Sequence, residues 1–254
     1  MDNYHKIPLN PEKRYFVVGD IHGRYATFLN LLEEIEYNKE TDIICSVGDL
    51  IDRGPESVEV VEFFKQSNTY AVLGNHEQMV NNPQDWQACW MFPPNGGPAT
   101  MASLEKHGHD IAWLQRWTRS LPIVLDVGED DDPGAFRVVH AECPIMWSEE
   151  FFHETMQLAM PMDLAEGELT WGRRTISRAI ANIQSMSPAA TGITFNENFT
   201  KRNVFCGHTP TENVVRVHNM WWIDTFRSRT MSMMNAVTLD KYFVDITNPY
   251  PGVQ

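Results

Sequence analysis

The chain has 254 residues, and 34 Asp and Glu against 20 Lys and Arg give it a formal net charge of −14. That balance excludes nucleic acid as the main partner, because binding to it depends on clustered Lys and Arg that displace counterions from phosphates. Hydrophobic residues at 43% and charged residues at 21% exclude disorder throughout and lead us to expect a single globular domain over residues 1–254.

The stretch from Met1 to Pro11 has no apolar core and no small-residue cleavage site of the kind a secretory signal carries. No run approaches the ~20 apolar residues that span a bilayer. A cytoplasmic location without membrane contact is therefore expected. Cys45, Cys89, Cys143 and Cys206 show no CxxC spacing, so neither a disulfide nor a zinc knuckle is expected. Cys45 and Cys206 lie inside apolar runs, where a thiol acts as a small hydrophobe.

Short apolar runs stop abruptly at polar residues along the chain. Tyr15 to Val18 ends at Gly19-Asp20, Ile43 to Val47 at Gly48-Asp49, and Tyr70 to Leu73 at Gly74-Asn75. Each reads as a buried strand with a metal-capable side chain at its end. Between the first two, Tyr25, Phe28, Leu29, Leu32 and Ile35 recur at helical spacing, and after the second Pro55 suits a first helical turn before Val58, Val61 and Phe64. These are βαβ units, so a parallel sheet is expected, with a ligand site beyond the strands' carboxyl ends.

Further along, residues 81–120 read as irregular connection with a helix around Ile111 to Trp117. Leu121 to Val127 and Ala135 to His140 flank an acidic turn and read as an antiparallel hairpin. Residues 144–200 combine a helix over Arg174 to Ile183 with a long polar loop from Ser185 to Phe199. Val204 to Cys206 before Gly207-His208, Met220 to Asp224, and Ala236 to Leu239 complete the expected strands.

The motifs carry one chemistry. Gly19-Asp20-Ile21-His22-Gly23, Gly48-Asp49-Leu50-Ile51-Asp52-Arg53-Gly54, Gly74-Asn75-His76-Glu77, a strand-terminal His140 and Gly207-His208 follow in order. Phosphoester hydrolysis at neutral pH needs an activated water and cations that offset charge on the equatorial oxygens. Two divalent ions roughly 3.5–4 Å apart meet both needs. Asp49 is the candidate bridge, with Asp20 and His22 on one ion and Asn75, His140 and His208 on the other. Carboxylate, imidazole and amide oxygen without thiolate suit Mn, Fe, Zn or Co.

These residues resemble the PPP family of metal-dependent phosphoprotein phosphatases. Gly74-Asn75-His76-Glu77-Gln78-Met79, His140-Ala141-Glu142-Cys143-Pro144, Leu169-Thr170-Trp171-Gly172-Arg173 and Ile223-Asp224-Thr225 make the chain similar to the small bacteriophage lambda type and its bacterial relatives. The resemblance implies an α/β fold, a calcineurin-like metallophosphoesterase sandwich of central β sheets flanked by helices. It implies two divalent metal ions, with Mn first among the candidates, held by Asp20, His22, Asp49, Asn75, His140 and His208. It further implies that His76 protonates the leaving oxygen, oriented by Asp52, and that Arg53 and Arg173 bind phosphate. The adjacent Arg174 stays an alternative to Arg173.

The chain also departs from that pattern. Phe226 stands where the lambda-type enzymes have glycine, and Arg227-Ser228-Arg229 follow it, with Arg227 or Arg229 as candidates for added phosphate affinity. Trp86, Trp90, Met91 and Phe92 are divided between core packing and a substrate groove. Hydrolysis of phosphoserine, phosphothreonine or phosphotyrosine in proteins is the expected activity, with a phosphorylated protein or peptide as partner. A symmetrical dinucleoside tetraphosphate hydrolase is the alternative enzyme; in that sister family the second motif usually lacks the counterpart of Asp52 and the third ends in Asp, unlike Glu77. A non-catalytic phosphopeptide-binding module is the third reading.

Overall fold

Tyr15, Phe16, Val17 and Val18 are all buried, as are Ile43, Ile44 and Cys45, so these runs are covered on both faces rather than on one. Successive strand residues point to opposite sides. Tyr15, Val17, Ile43 and Cys45 accordingly pack in one cluster with Leu125, Val127, Phe136, Val138, Phe205 and Trp221, while Phe16, Val18 and Ile44 belong to another with Phe28, Leu31, Leu32, Phe63 and Phe64. The first cluster joins two sheets and the second joins sheet to helices. Fully buried Phe28 meets Phe63 edge-on with ring centroids 4.9 Å apart; truncating such a side chain to Ala costs about 4 kcal/mol.

The computed structural model describes residues 3–81, 83–157, 162–184, 193 and 196–246. The first half runs β1 (Tyr4–Ile7), β2 (Arg14–Val18), α1 (Tyr25–Glu34), β3 (Asp42–Ser46), α2 (Ser57–Phe64), β4 (Thr69–Ala71), α3 (Asn75–Asn81), α4 (Pro83–Trp90), α5 (Gly97–Lys106) and α6 (Ile111–Thr118). Then come β5 (Val124–Val127), β6 (Phe136–Val139), α7 (Glu149–Gln157), α8 (Met162–Trp171), α9 (Arg174–Gln184) and β7 (Asn203–Cys206). β8 (Val215–Val217), β9 (Met220–Trp222), a single 3-10 turn at Phe226–Ser228, β10 (Thr230–Asn235) and β11 (Lys241–Asp245) close the chain.

The strands form a five-stranded sheet, β11-β10-β2-β3-β4, and a six-stranded one, β1-β5-β6-β7-β9-β8. β2, β3 and β4 are parallel, as the two βαβ units require, and β3 lies between its neighbours. Both sheets are nevertheless mixed: β10 runs antiparallel to β2, and β5 and β6 form the expected antiparallel pair. This is the expected architecture of two sheets flanked by helices.

Several expectations need correction. Ala236 to Leu239 is not a strand; Ala236 follows β10, Asn235 Oδ1 accepts from the N–H groups of Val237 and Thr238, and the chain turns into β11. On α1, Leu29 is 43% exposed and Leu31 takes its place on the buried face. Pro55 precedes α2, whose flanking residue is Glu56. The helix around Ile111 does form, capped by Asp110, whose side chain accepts from Trp113 N–H at 2.8 Å. Of the polar loop expected over 185–199, residues 185–192, 194 and 195 lie outside the described residues; Asn196 N–H donates to Ile145 O at 2.8 Å. All four cysteines are free.

Candidate metal centre

Each candidate ligand follows the carboxyl end of a strand. β2 leads to Asp20 and His22, β3 to Asp49, β4 to Asn75, β6 to His140 and β7 to His208. Glycines precede Asp20, Asp49, Asn75 and His208 because the loops crowd together. A Cβ on Gly74 would overlap Asp49 Oδ1, and one on Gly207 would overlap Asp20 Oδ1. His22, Asp49, Asp52, Arg53 and His208 adopt φ values of 48, 51, 72, 65 and 65°, a region that costs a non-glycine residue on the order of 1 kcal/mol. Five of the ten described non-glycine residues at positive φ thus lie on this one set of loops, whose shape the surrounding packing must hold.

The side chains converge on Asp49. His140 Nε2 lies 3.3 Å from its Oδ1, while His22 Nε2 and His76 Nε2 lie 3.7 and 3.8 Å from its Oδ2. Asn75 Oδ1 is 2.9 Å from His140 Nε2 and 2.8 Å from His208 Nδ1. Asp20 Oδ2 is 3.9 Å from His22 Nε2, and its carboxylate accepts from His208 N–H at 3.1 Å. All six expected ligands thus share one pocket of buried or nearly buried atoms.

Tautomers can be read from the partners. His22 Nδ1 faces Ile51 O at 3.0 Å and His140 Nδ1 faces Val47 O at 2.7 Å. A carbonyl only accepts, so Nδ1 carries the hydrogen in both rings and Nε2 presents a lone pair. His140 Nε2 then meets Asn75 Oδ1 at 2.9 Å and Asp49 Oδ1 at 3.3 Å with no hydrogen between it and either oxygen, an arrangement that a cation satisfies. The donor set of carboxylate, imidazole and amide oxygen fits divalent ions.

The charges agree. Burial pushes the Asp20 carboxyl well up, and Asp224 and Asp49 push it further. Burial also raises Asp224, to about 6, against the opposing Phe226 N–H and the Arg53 charge. Burial would raise Asp49 as well, but His140, His76, His22 and His208 outweigh it and hold it low. Several buried carboxyls that repel one another, beside His22, His140 and His208 rings whose proton affinity burial lowers, form an environment completed by positive charge.

Around this centre stand the remaining residues. His76 Nδ1 donates to Asp52 Oδ2 at 2.7 Å; burial lowers His76, yet Asp49 and Asp52 outweigh it and its affinity for a proton is raised. Arg53 Nη1 contacts His22 Nε2, and Arg173 Nε donates to His208 Nε2 at 2.9 Å. Arg174 instead turns outward, 68% exposed and paired with Glu168. Trp90 is buried with its indole N–H on Asp52, whereas Met91 and Phe92 are 39% and 57% exposed; the side chain of Trp86 lies outside the described residues. The sequence reading missed Glu77, Thr100 and Asp224. A carboxylate in the motif that follows the Tyr70 to Leu73 run was the available signal for Glu77, while Thr100 reaches Asp52 from 48 residues away and leaves no local trace.

A model of the calcineurin-like phosphoesterases matches residues 13–212. The chain belongs to the calcineurin-like phosphoesterase family. Serine/threonine-protein phosphatase 1 of Salmonella typhimurium is 28% identical over 222 residues, covering 87% of this chain and 90% of that one. A symmetrical bis(5'-nucleosyl)-tetraphosphatase of Buchnera aphidicola is 32% identical over 110 residues, 42% of this chain and 37% of that one. A protein serine/threonine phosphatase structure from Saccharomyces cerevisiae shares the fold with a TM-score of 0.63 at 17% identity, over 99% of this chain and 86% of that one. As a calcineurin-like phosphoesterase the chain is a hydrolase of phosphate esters that uses divalent metals. None of its described helices is long and apolar enough to cross a membrane.

Proposed function

We propose that this phosphoesterase removes phosphate from serine and threonine side chains of proteins, with phosphotyrosine as a further substrate. The observation that carries the reading is the dyad of His76 and Asp52, closed at 2.7 Å and buried beside Asp49. A protein alkoxide is a poor leaving group and needs a proton as the bond breaks. The phosphatase-named relative, which spans 87% of the chain, supports the same substrate class.

Asp20, His22, Asp49, Asn75, His140 and His208 would hold two divalent cations, with Asp49 shared between them and Mn as the first candidate before Fe, Zn or Co. When bound, the ions supply an acidified water and neutralise charge on the phosphoryl oxygens. The chain's own residues do the rest. Arg53 and Arg173 present guanidinium forks to the phosphate oxygens and orient the ester. Asp52 accepts the Nδ1–H of His76, which leaves Nε2 to deliver a proton to the leaving oxygen.

Symmetrical dinucleoside tetraphosphate hydrolysis is the second reading, favoured by the 32% identical relative of that name. Its leaving group is a phosphate, which departs without a proton and makes less use of the dyad. Turnover of a phosphoserine peptide and of diadenosine tetraphosphate by the purified, Mn-loaded protein separates the two. Faster peptide hydrolysis is expected; exclusive cleavage of the dinucleotide would replace the first reading by the second, and tight peptide binding without turnover would make the chain a binding module.

A further inference from the structure

We infer that Trp90 is a positioning residue for the proton transfer, acting through Asp52. The inference rests on His76 being the proton donor. Asp52 is inaccessible to solvent, and three side-chain donors close on its carboxylate. His76 Nδ1–H meets Oδ2 at 2.7 Å, Thr100 Oγ1 meets Oδ1 at 2.6 Å, and the indole N–H of Trp90 is shared between both oxygens at 3.0 Å each. Thr100 is anchored in turn, since its hydroxyl accepts the Asp52 N–H at 2.9 Å and lies 3.0 Å from Ser57 Oγ.

Donors on separate oxygens, Thr100 on Oδ1 and His76 on Oδ2, fix the plane of the carboxylate, while a donor equidistant from both oxygens meets it end-on and fixes how far it reaches. Trp90 thereby keeps the carboxylate seated between its two other donors and preserves the orientation they set. That orientation passes to the imidazole through the 2.7 Å bond and decides where His76 Nε2 points. A general acid is effective only when aimed at the oxygen it protonates, so a small rotation costs rate without touching affinity for phosphate.

The same segment holds the arginine. Gly96 O accepts from Arg53 N–H at 3.3 Å, and Gly96, at a φ of 87°, lies so close that a Cβ would meet Arg53 Cα at 2.6 Å. Residues Trp90 to Gly96 therefore brace two adjacent residues, Asp52 and Arg53, from outside the motif that contains them. Burial of Trp90 at 4% exposure keeps water from competing for the carboxylate.

The test uses Mn-loaded full-length protein and aryl phosphates of increasing phenol pKa, together with a phosphoserine peptide. Trp90→Phe keeps an aromatic ring and removes the N–H. Loss of one hydrogen bond to a buried charge predicts a kcat about tenfold lower on the peptide and less than about threefold lower on the most acidic phenol. KM and inhibition by inorganic phosphate should stay within about twofold, since phosphate is held elsewhere. A uniform loss over all leaving groups, or no loss, overturns the inference. Should Trp90→Phe fail to fold, benzothienylalanine at position 90 replaces N–H by sulfur in a ring of the same shape, and the same outcomes decide. His76→Asn run in parallel separates the two levels. If its own loss does not grow with leaving-group pKa, the proton-donor reading fails; if it grows and the Trp90 variant's does not, only the present inference fails.

Discussion

The carboxylate of Glu77, in the first turn of α3, accepts the backbone N–H of Asp49 at 2.9 Å and so ties the third motif to the second. Its two oxygens also accept from Leu50 at 2.9 Å, Ile51 at 3.3 Å and Gly74 at 3.0 Å. Burial and the charge of Asp49 raise its proton affinity, and these N–H groups oppose them. One side chain thereby sets the loop that presents the central aspartate.

Glu77→Gln tests that role. An amide has one accepting oxygen, so its NH2 would face two of the four N–H groups, and buried unsatisfied donors cost about 1–3 kcal/mol each. Denaturant unfolding of the metal-free variant should show a loss of about 3 kcal/mol, with weaker Mn binding in titration calorimetry. Unchanged stability and affinity would mean that the Asp49 loop stands without this brace.

The two neighbouring arginines should separate cleanly. Arg173→Ala removes the guanidinium that touches His208, and inorganic phosphate should inhibit about tenfold more weakly, with KM for a phosphopeptide raised alike. Arg174→Ala removes an exposed pair with Glu168 and should change neither by more than about twofold. Inhibition constants measured on both variants check the assignment.

A second buried charge cluster should contribute to stability at acid pH. Arg137, fully buried, makes a fork to Asp126 at 2.7 and 2.8 Å and reaches Glu149 at 2.8 Å. Burial pushes the Glu149 carboxyl up, but contact with His153 and the Arg137 charge outweighs it and brings it to about 2. A carboxyl whose folded value is depressed contributes stability that is present above about pH 4.5 and is lost as the pH falls toward 2. Wild type should therefore lose about 1 kcal/mol more than Glu149→Gln between pH 6 and pH 3.5 in urea unfolding. Parallel profiles would remove Glu149 from the account. Arg137 on both Asp126 and Glu149, with His153 3.0 Å from Glu149, makes this Asp, Glu and His grouping an ion-pair cluster.

The parts of the fold that announce themselves locally were legible. Tyr15 to Val18 and, but for Ser46, Ile43 to Val47 are apolar and buried at every position because both faces of their sheet are covered, and the glycine that ends each run sits where another loop presses in. β1, with its pattern of half-buried and exposed residues at a sheet edge, gives no such run; nor does β11, whose alternating Lys241 to Asp245 is only half buried. β10 is buried but built of Met231, Met233 and Met234, flexible side chains that favour neither strand nor helix strongly, beside the charged Arg227 to Arg229. α3 was hidden for another reason: Asn75 and His76 read as the end of a strand, although they form the first turn of a helix. At the site, short motifs reveal the candidate residues, whereas the contacts that hold one of them, Trp90 and Thr100 on Asp52, span 38 and 48 residues and have no signature in the chain.

The central claim is that one aspartate joins two cations. Crystals of the Mn-soaked protein, measured at a wavelength where Mn scatters anomalously, test it most directly. The account predicts two anomalous peaks roughly 4 Å apart flanking the Asp49 carboxylate, one beside Asp20 and His22 and the other beside Asn75, His140 and His208. A pocket without such peaks, or a single ion bound away from Asp49, would contradict it.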